Sequence, residues 1–450
     1  MLTKNTLYPI KIDSLSSDGS GVGRIDNLVV FVPCSAVGDE LIVQIVRTEK
    51  THAFAIIDSI VSASDDRIPI DCAMYKKCGG CCFRHISYEA ELAAKKKIVE
   101  DAFLRIAHLD VRVEDTVPSP DVDRYRNKVQ FPVGTDGTAL FAGLFAPRSH
   151  RIISVDDCLL QSKLMNDVAS DCCKLLCEQN VSAYDECSGT GILRHIFIRQ
   201  SGESGHLALC LVINARGFQG EKLFTDKITA LYPVIESLSL NINTAKSNVI
   251  LSDRQRLIFG SDSLSDRLCG VPVRLSPLSF FQINNAAAEL LYKKARELAS
   301  LKSSDTLLDL YCGTGTIGLS MCEDCRRLIG VEVVSAAISD ARRNAAAIGA
   351  DNCEFLAMSS SSATNLLMSR GDTIDVVITD PPRKGCDDGT IDSLLAISPK
   401  KIVMISCNPA TLARDVAKLF AGGYTMDSVY PFDLFPRTKH VECVVLMTRK

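Results

Sequence analysis

An α/β protein is what this chain predicts: a parallel, doubly wound (Rossmann-like) sheet at its C-terminal end, behind a small β-barrel and a β-rich middle region. Three observations carry that expectation. From about residue 278, short apolar strands such as "DTLLDLYCG", "RLIGVEVV", "IDVVITDPP" and "KKIVMISCNP" alternate with helical stretches such as "SAAISDARRNAAAIGA". Strands alternating with helices are the grammar of a parallel sheet. Residues 1–62 instead hold closely spaced short strands with turn signals between them, the pattern of a small closed barrel. At 450 residues the chain also exceeds one ordinary core. The expected division is 1–62, 63–275 and 276–450.

In the barrel region, "YPIKIDSLS", "NLVVFVPC", "ELIVQIVRTE" and "THAFAIIDSIV" are the strands. The glycine-rich "DGSGVGR" precedes no helix, so it reads as a barrel turn rather than a phosphate loop. Next comes a cysteine patch, followed by "SYEAELAAKKKIVEDAFLRIAHL", whose apolar residues recur at helical spacing. Residues 111–275 are mostly strand-like, with helical insertions such as "SKLMNDVASDCCKLLCEQN". "SSSSATN" at 359–365 reads as a loop.

Hydrophobic residues make up 46% and charged residues 23%, as in soluble globular proteins. No apolar run approaches the roughly 18 residues of a membrane span. The start has no apolar signal core, and the expected location is cytoplasmic. Cysteines are kept reduced there, so clustered ones point to metal or catalysis rather than disulfides. The net charge of −4 argues weakly against a nucleic-acid partner without excluding one, since a local basic surface suffices.

"LLDLYCGTGTIGLSM" is a strand, a glycine turn and a helix. Gly313, Gly315 and Gly318 fit G-x-G-x-x-G, and Glu332 ends the next strand, as needed to hold ribose hydroxyls. The motif alone leaves NAD, FAD and S-adenosylmethionine open. "DLYC" before the first glycine resembles class I methyltransferases, and "TDPPRKG" resembles nucleic-acid methyltransferases that act on a base.

"DCAMYKKCGGC" spaces Cys72, Cys78 and Cys81 as C-x5-C-x2-C, with glycines that let backbone wrap a metal centre. By ligand type, zinc and an iron–sulfur cluster fit equally. A radical-type cluster normally shows a tighter triplet, so that chemistry is rejected. Cys158 in "VDDCLLQ" is a candidate fourth ligand that spacing alone does not select. Cys82 is expected to diverge from the centre.

Cys407 follows "KKIVMIS", at the carboxyl end of a strand near the cofactor loops. C5 of a uracil is a poor nucleophile towards a sulfonium methyl group. A thiolate that adds at C6 produces an enolate, and C5 can then attack the methyl. A base must next remove the C5 proton so that the thiolate is expelled. Glu442, entering the apolar strand "HVECVVLM", is the candidate base, with His440 two residues away as the alternative.

Together these residues resemble the RNA 5-methyluridine methyltransferase family, over nearly the whole chain. "CGGCCFRHISYEAEL", "YRNKVQFPVG", "GILRHIFIR", "LSFFQINNAAAELLY", "SCNPATLARD" and "HVEC" carry the resemblance. It implies a TRAM barrel at 1–62 and a central RNA-binding region at 63–275. It implies a class I methyltransferase domain at 276–450. It implies a [4Fe–4S] cluster on Cys72, Cys78, Cys81 and Cys158, with Cys407 as nucleophile and Glu442 as base. Gln282, Tyr311, Glu332 and Asp380 would form the S-adenosylmethionine site, with Gln282 and Asp380 also close to the uracil.

Two stretches depart from the pattern. "FLAMSSSSATN" lacks the polar or acidic residue near the adenine, where Ser359 is the substitute, and "CCFRH" replaces a glutamine-rich segment. The target base must be flipped out of its stack. Lys95–Lys97, Arg124, Arg126, Lys128, Arg148, Arg151 and Arg194 are the expected RNA track. The expected partner is 23S ribosomal RNA and the expected state a monomer. Transfer RNA is the alternative substrate. A non-catalytic ribosome-assembly factor and a zinc-bearing NAD oxidoreductase are the competing classes.

Overall fold

The computed structural model describes residues 2–450, which form two compact units, each discontinuous in sequence. The first unit gathers 1–120, 381–391 and 403–450, and the second gathers 121–380 and 392–402. Among the described residues no helix is long and apolar enough to cross a membrane.

The first unit opens with a closed five-stranded barrel: Leu7–Leu15, Gly21–Ile25, Leu28–Val32, Glu40–Thr48 and His52–Ser62. Side chains alternate in and out along each strand. Val30, Val32, Leu41, Val43, Ile45, Ala53 and Ala55 therefore fill the interior. Asp26 and Asn27, with φ of 47° and 64°, make the two-residue hairpin turn between the second and third strands.

After the barrel, Ser87 caps the helix Tyr88–Ala102 by accepting from the Ala90 amide at 3.2 Å. That helix runs into a π-helical turn, Phe103–Ala107, which packs on the helix Pro409–Ala421. Strands Ser428–Phe432 and Glu442–Arg449 pair antiparallel, and Arg112–Val113 adds in parallel to the former.

A buried charge network ties these pieces together. Lys95 Nζ donates to Glu91 Oε1 at 2.7 Å and to Asp433 Oδ1 at 2.6 Å, all three side chains being inaccessible to solvent. Asp433 Oδ2 accepts from the Tyr88 hydroxyl at 2.9 Å, and Glu91 Oε1 also accepts from the Arg437 amide at 2.7 Å. Burial pushes the Glu91 carboxyl up, against the pull of Lys95.

In the second unit a seven-stranded sheet runs in the order Gln255–Gly260, Ile235–Ile242, Leu207–Ile213, Leu193–Gln200, Lys128–Thr135, Leu140–Phe145, Ile152–Ser154. Helices Lys163–Glu178 and Glu221–Leu231 cover one face, packing Met165, Cys172, Phe224 and Ile228 on Ile196, Leu209 and Leu238. Four parallel strands follow, in the order Cys353–Ala357, Arg327–Glu332, Thr306–Leu310, Val376–Thr379.

Several expectations are corrected. "SSSSATN" is not a loop: Ser359 caps the helix Ser360–Ser369, its hydroxyl accepting from the Ser362 amide at 3.2 Å. Lys95 leaves the proposed RNA track because it is a buried ion-pair partner. Arg194 leaves it too, since its guanidinium is buried on the Asn243 and Ala245 carbonyls. Lys96, Lys97 and Arg124 are paired with Asp115, Asp101 and Asp157, whereas Arg148 and Arg151 are exposed.

Removing one partner of a buried ion network strands the others without compensation. Lys95→Met is expected to destabilise the protein by about 3–5 kcal/mol in urea denaturation. Changing Glu91 and Asp433 to Leu as well should restore most of that loss. A Lys95→Met midpoint equal to wild type would show that the network contributes nothing.

Candidate active site

The second unit presents the carboxyl edge of its parallel strands, where open α/β sheets bind ligands. Thr306–Leu310 ends in Tyr311, whose φ of 63° is unusual for a bulky residue, and Gly313 and Gly315 continue the turn at 55° and 80°. Backbone in this conformation folds back on itself and exposes amides to a ligand. Gly330 is fixed by close packing, because a Cβ there would lie 2.5 Å from Phe355.

Three carboxylates meet at this edge. Asp309 is buried, and its Oδ2 accepts from the Gly318 amide at 3.0 Å. Its Oδ1 is buried with no hydrogen-bond partner among the described residues. Burial pushes its carboxyl up to about 7 despite that amide, with Asp380 and Glu332 adding to the rise. Burial likewise pushes Asp380 up to about 6. Glu332 ends its strand and accepts from the Val334 amide at 2.9 Å. Gln282 donates to the buried Tyr292 hydroxyl at 3.3 Å, and burial raises that hydroxyl's pKa, with the Asp380 charge adding to the rise. Asp309, Glu332 and Asp380 thus act on one another, Tyr292 and Gln282 join them through Asp380, and Tyr311 opens the adjoining turn.

An edge crowded with acids of raised pKa is suited to a cation. S-adenosylmethionine carries an ammonium and a sulfonium, so the residues fit it. The position of Asp309 is legible in "DLYCGTG", whereas that of Tyr292 has no local signal.

Cys407 and Glu442 lie in the first unit. Cys407 follows the strand Lys401–Ser406 and directly precedes Asn408, the cap of Pro409–Ala421. Asn408 Oδ1 accepts from the Ala410 amide at 3.1 Å, and Pro409 suits the first helical position. The sulfur therefore stands at the positive end of a helix dipole, which favours negative charge. Asn408 Nδ2 donates to the Arg383 carbonyl at 3.0 Å, and Cys386 N donates to Asp415 at 2.8 Å. These bonds pin the "PPRKGC" loop beside Cys407. Gly385, with φ 76°, is needed there because a Cβ would meet Arg414 and Asp415 at 2.6 Å.

Cys407 lines a cleft of about 790 Å³ with Arg383, Asn408, Lys439 and His440. Arg383 Nη2 lies 3.2 Å from His440 Nε2. Glu442 is buried and does not line this cleft. Burial raises the neighbouring Cys443 thiol, and the charges of Glu442 and Cys407 raise it further. Cys407 and Glu442 are thus both within electrostatic reach of one buried sulfur.

The described residues lend no support to the expected [4Fe–4S] centre on Cys72, Cys78, Cys81 and Cys158. Among the described residues no group of three or more His, Cys, Asp or Glu side chains is gathered to hold a metal ion. The 72–82 loop closes on its own backbone, through Cys78 N to Met74 O at 2.8 Å, and the Gly80 amide donates to Cys78 Sγ at 3.3 Å. Cys158 is buried in a loop whose own carbonyl takes bonds from Arg124 and Asn166.

A cation entering the acidic edge pulls Asp309 and Asp380 back towards the ordinary carboxylate value of 3.8. Binding should therefore release protons, and affinity should rise with pH through about 6–7 and then level off. The sign for the unliganded fold is opposite: raised acids favour folding at low pH and lose that contribution as pH climbs to their folded values. Calorimetry of S-adenosylhomocysteine binding in buffers of different ionisation enthalpy checks this. Asp309→Asn should flatten the pH dependence; an unchanged profile would remove Asp309 from the site.

A family model described as TRAM domain matches residues 2–57. Among curated relatives, an uncharacterized RNA methyltransferase of Clostridium tetani (strain Massachusetts / E88) is 37% identical over 445 residues, covering 99% of this chain and 97% of that one. One from Listeria innocua serovar 6a is 38% identical over 450 residues, covering 100% and 99%. Among solved structures, the Pyrococcus abyssi tRNA (uracil-54, C5)-methyltransferase in complex with S-adenosyl-L-homocysteine matches with a TM-score of 0.78 and 27% identity, covering 98% of this chain and 100% of that one. A second family model, described as tRNA (Uracil-5-)-methyltransferase, matches residues 87–450. The chain therefore belongs to the tRNA (uracil-5-)-methyltransferase family, and it is an S-adenosylmethionine-dependent RNA methyltransferase with a TRAM barrel.

Proposed function

We propose that the protein methylates C5 of a uridine in 23S ribosomal RNA, with Cys407 as nucleophile and Glu442 as general base. The observation that carries this reading is a cysteine at a helix N-terminus, opening into a nucleotide-sized cleft, with a buried carboxylate acting on the same neighbouring thiol.

In this mechanism Cys407 Sγ bonds to C6 as a thiolate, and the C5–C6 π electrons move to the C4 carbonyl oxygen. C5 of the resulting enolate then bonds to the methyl carbon as that carbon's bond to the donor sulfur breaks, the sulfur leaving as a neutral thioether. Glu442 removes the C5 proton, the C5–C6 double bond reforms, and the C6–S bond breaks to return the thiolate. S-adenosylmethionine supplies the methyl group, activated as a sulfonium, when bound. Glu332 is assigned to the ribose hydroxyls and Tyr311 to packing beside the glycine turn. Gln282 and Asp380 are assigned to the donor and to the uracil. No step requires a cluster on Cys72, Cys78, Cys81 and Cys158.

The TRAM barrel supports a large structured RNA as substrate, because it adds an RNA-binding module to the catalytic fold. A second reading, 5-methyluridine formation in transfer RNA, is favoured by the full-length match to the Pyrococcus abyssi enzyme. Nucleoside mass spectrometry on separated 23S rRNA and tRNA from a deletion strain decides between them. Loss of 5-methyluridine from tRNA alone would replace the first reading by the second.

Cys407→Ala is expected to lower turnover by about a thousandfold or more and to abolish the covalent adduct with 5-fluorouridine RNA. Glu442→Gln should lower turnover by roughly 10²–10⁴-fold while a methylated adduct accumulates on denaturing gels. If Glu442→Gln turns over normally and His440→Gln traps the adduct, the base is His440. If the wild-type protein forms no adduct, an RNA-binding assembly role replaces the enzymatic reading.

A further inference from the structure

A single pyrimidine fills only a fraction of the roughly 790 Å³ cleft that Cys407 lines. The barrel supplies one wall, through Val22, Arg24, Val29 and Phe31. Leu28–Val32 runs parallel to His52–Ser62, with Val29 opposite His52 and Phe31 opposite Phe54. Val30, Val32, Ala53 and Ala55 point into the barrel core, so the period of two puts Phe31, His52 and Phe54 on the outer face. There Phe31 and Phe54 stack with ring centroids 5.6 Å apart and planes at 29°. His52 stands edge-on to both, at 5.7 and 5.1 Å. All three are half-buried, so the barrel interior does not need them.

The facing wall includes the π-helical turn Phe103–Ala107, a distortion that is frequent at functional sites. It turns Phe103 into the core and contributes Arg105 and Ile106 to the cleft. Arg24, Arg105, Arg383 and Lys439 outnumber Asp13 and Asp101 along the lining, and Asp101 is already paired with Lys97 and Arg105. A flat aromatic face inside a net-positive groove is the chemistry of single-stranded nucleic-acid binding, because every base has a π face and every linkage a negative charge.

We propose that the Phe31–His52–Phe54 ring cluster is a stacking subsite for an RNA nucleotide next to the one that Cys407 attacks. The proposal rests on reading the Cys407 cleft as the uridine site. It assigns the barrel a definite task there. A base flipped out of its stack leaves its neighbour without a partner, and the ring cluster takes that partner's place. The recognition is tolerant of sequence, and only an unpaired strand can use it.

The test uses the full chain and a short single-stranded RNA carrying 5-fluorouridine next to 2-aminopurine. Wild type should bind it, change the 2-aminopurine fluorescence and form the adduct. Phe31→Leu and the Phe31→Leu/Phe54→Leu pair should lose the fluorescence change and weaken binding by about 5-fold or more. Their salt dependence and S-adenosylhomocysteine affinity should stay as in wild type. Lys439→Ala should instead reduce the salt slope. Wild-type affinity and fluorescence in the double variant would overturn the subsite while leaving the adduct, and the uridine reading, intact. Ring-dependent binding with no adduct in wild type would sink the uridine reading and keep the subsite. Should the Leu variants unfold, Phe31→Tyr and Phe31→Trp keep a ring and must bind like wild type; weakened binding in both would also overturn it.

Discussion

One ammonium group, that of Lys95, ties the helix Tyr88–Ala102 to the segment that leads into the strand Glu442–Arg449. It sits between the Glu91 and Asp433 carboxylates where no solvent reaches, and the Arg437 guanidinium stands 3.5 Å from the other Glu91 oxygen. Glu91 also takes the Arg437 amide, and Asp433 takes the Phe435 amide and the Tyr88 hydroxyl. Through these bonds one helix fixes the path of residues 433–440, which lead directly to His440 and Glu442. A buried ion network is weak evidence for stability but good evidence for a specified geometry, because an alternative path would leave a charge unpaired. The path that leads to Glu442 is set by electrostatics that lie outside the cleft.

The donor half uses charge in the opposite sense. Asp309, Asp380 and Glu332 are brought together without an internal cation, and burial holds two of them well above the ordinary carboxylate value. The first half resolves its charges internally; the second leaves them for a ligand. A structural ion network and a binding site can therefore be told apart here by whether the counter-charge is supplied by the chain.

Much of this was legible in the sequence because it rests on local rules. The glycine turn, the capped helix after Cys407, the alternating barrel strands and the carboxyl-edge positions of Tyr311, Glu332 and Asp380 all follow from short-range pattern. What was not legible depends on distant partners. "KKK" at 95–97 reads as a solvated run, yet the fate of Lys95 is decided by Asp433, far along the chain. Arg194 reads as a surface cation, yet two carbonyls near residue 244 take it inside. "SSSSATN" looks like a loop by composition, but one serine used as a cap turns the rest into a helix. The cysteine spacing 72–78–81 suggested a metal centre, although spacing cannot say whether sulfurs converge.

Strand position 442–443 has a chemical consequence. Of the thiols near the cleft, Cys386 and Cys443 are buried and Cys407 opens to it. Glu442 and Cys407 both disfavour a thiolate at Cys443, which burial already opposes. The proposed base therefore also insulates its neighbour, leaving one competent sulfur where two lie close together. An electrophile admitted to the cleft meets a single nucleophile, which is the selectivity that a covalent, self-releasing catalyst requires to avoid trapping its own substrate on the wrong atom.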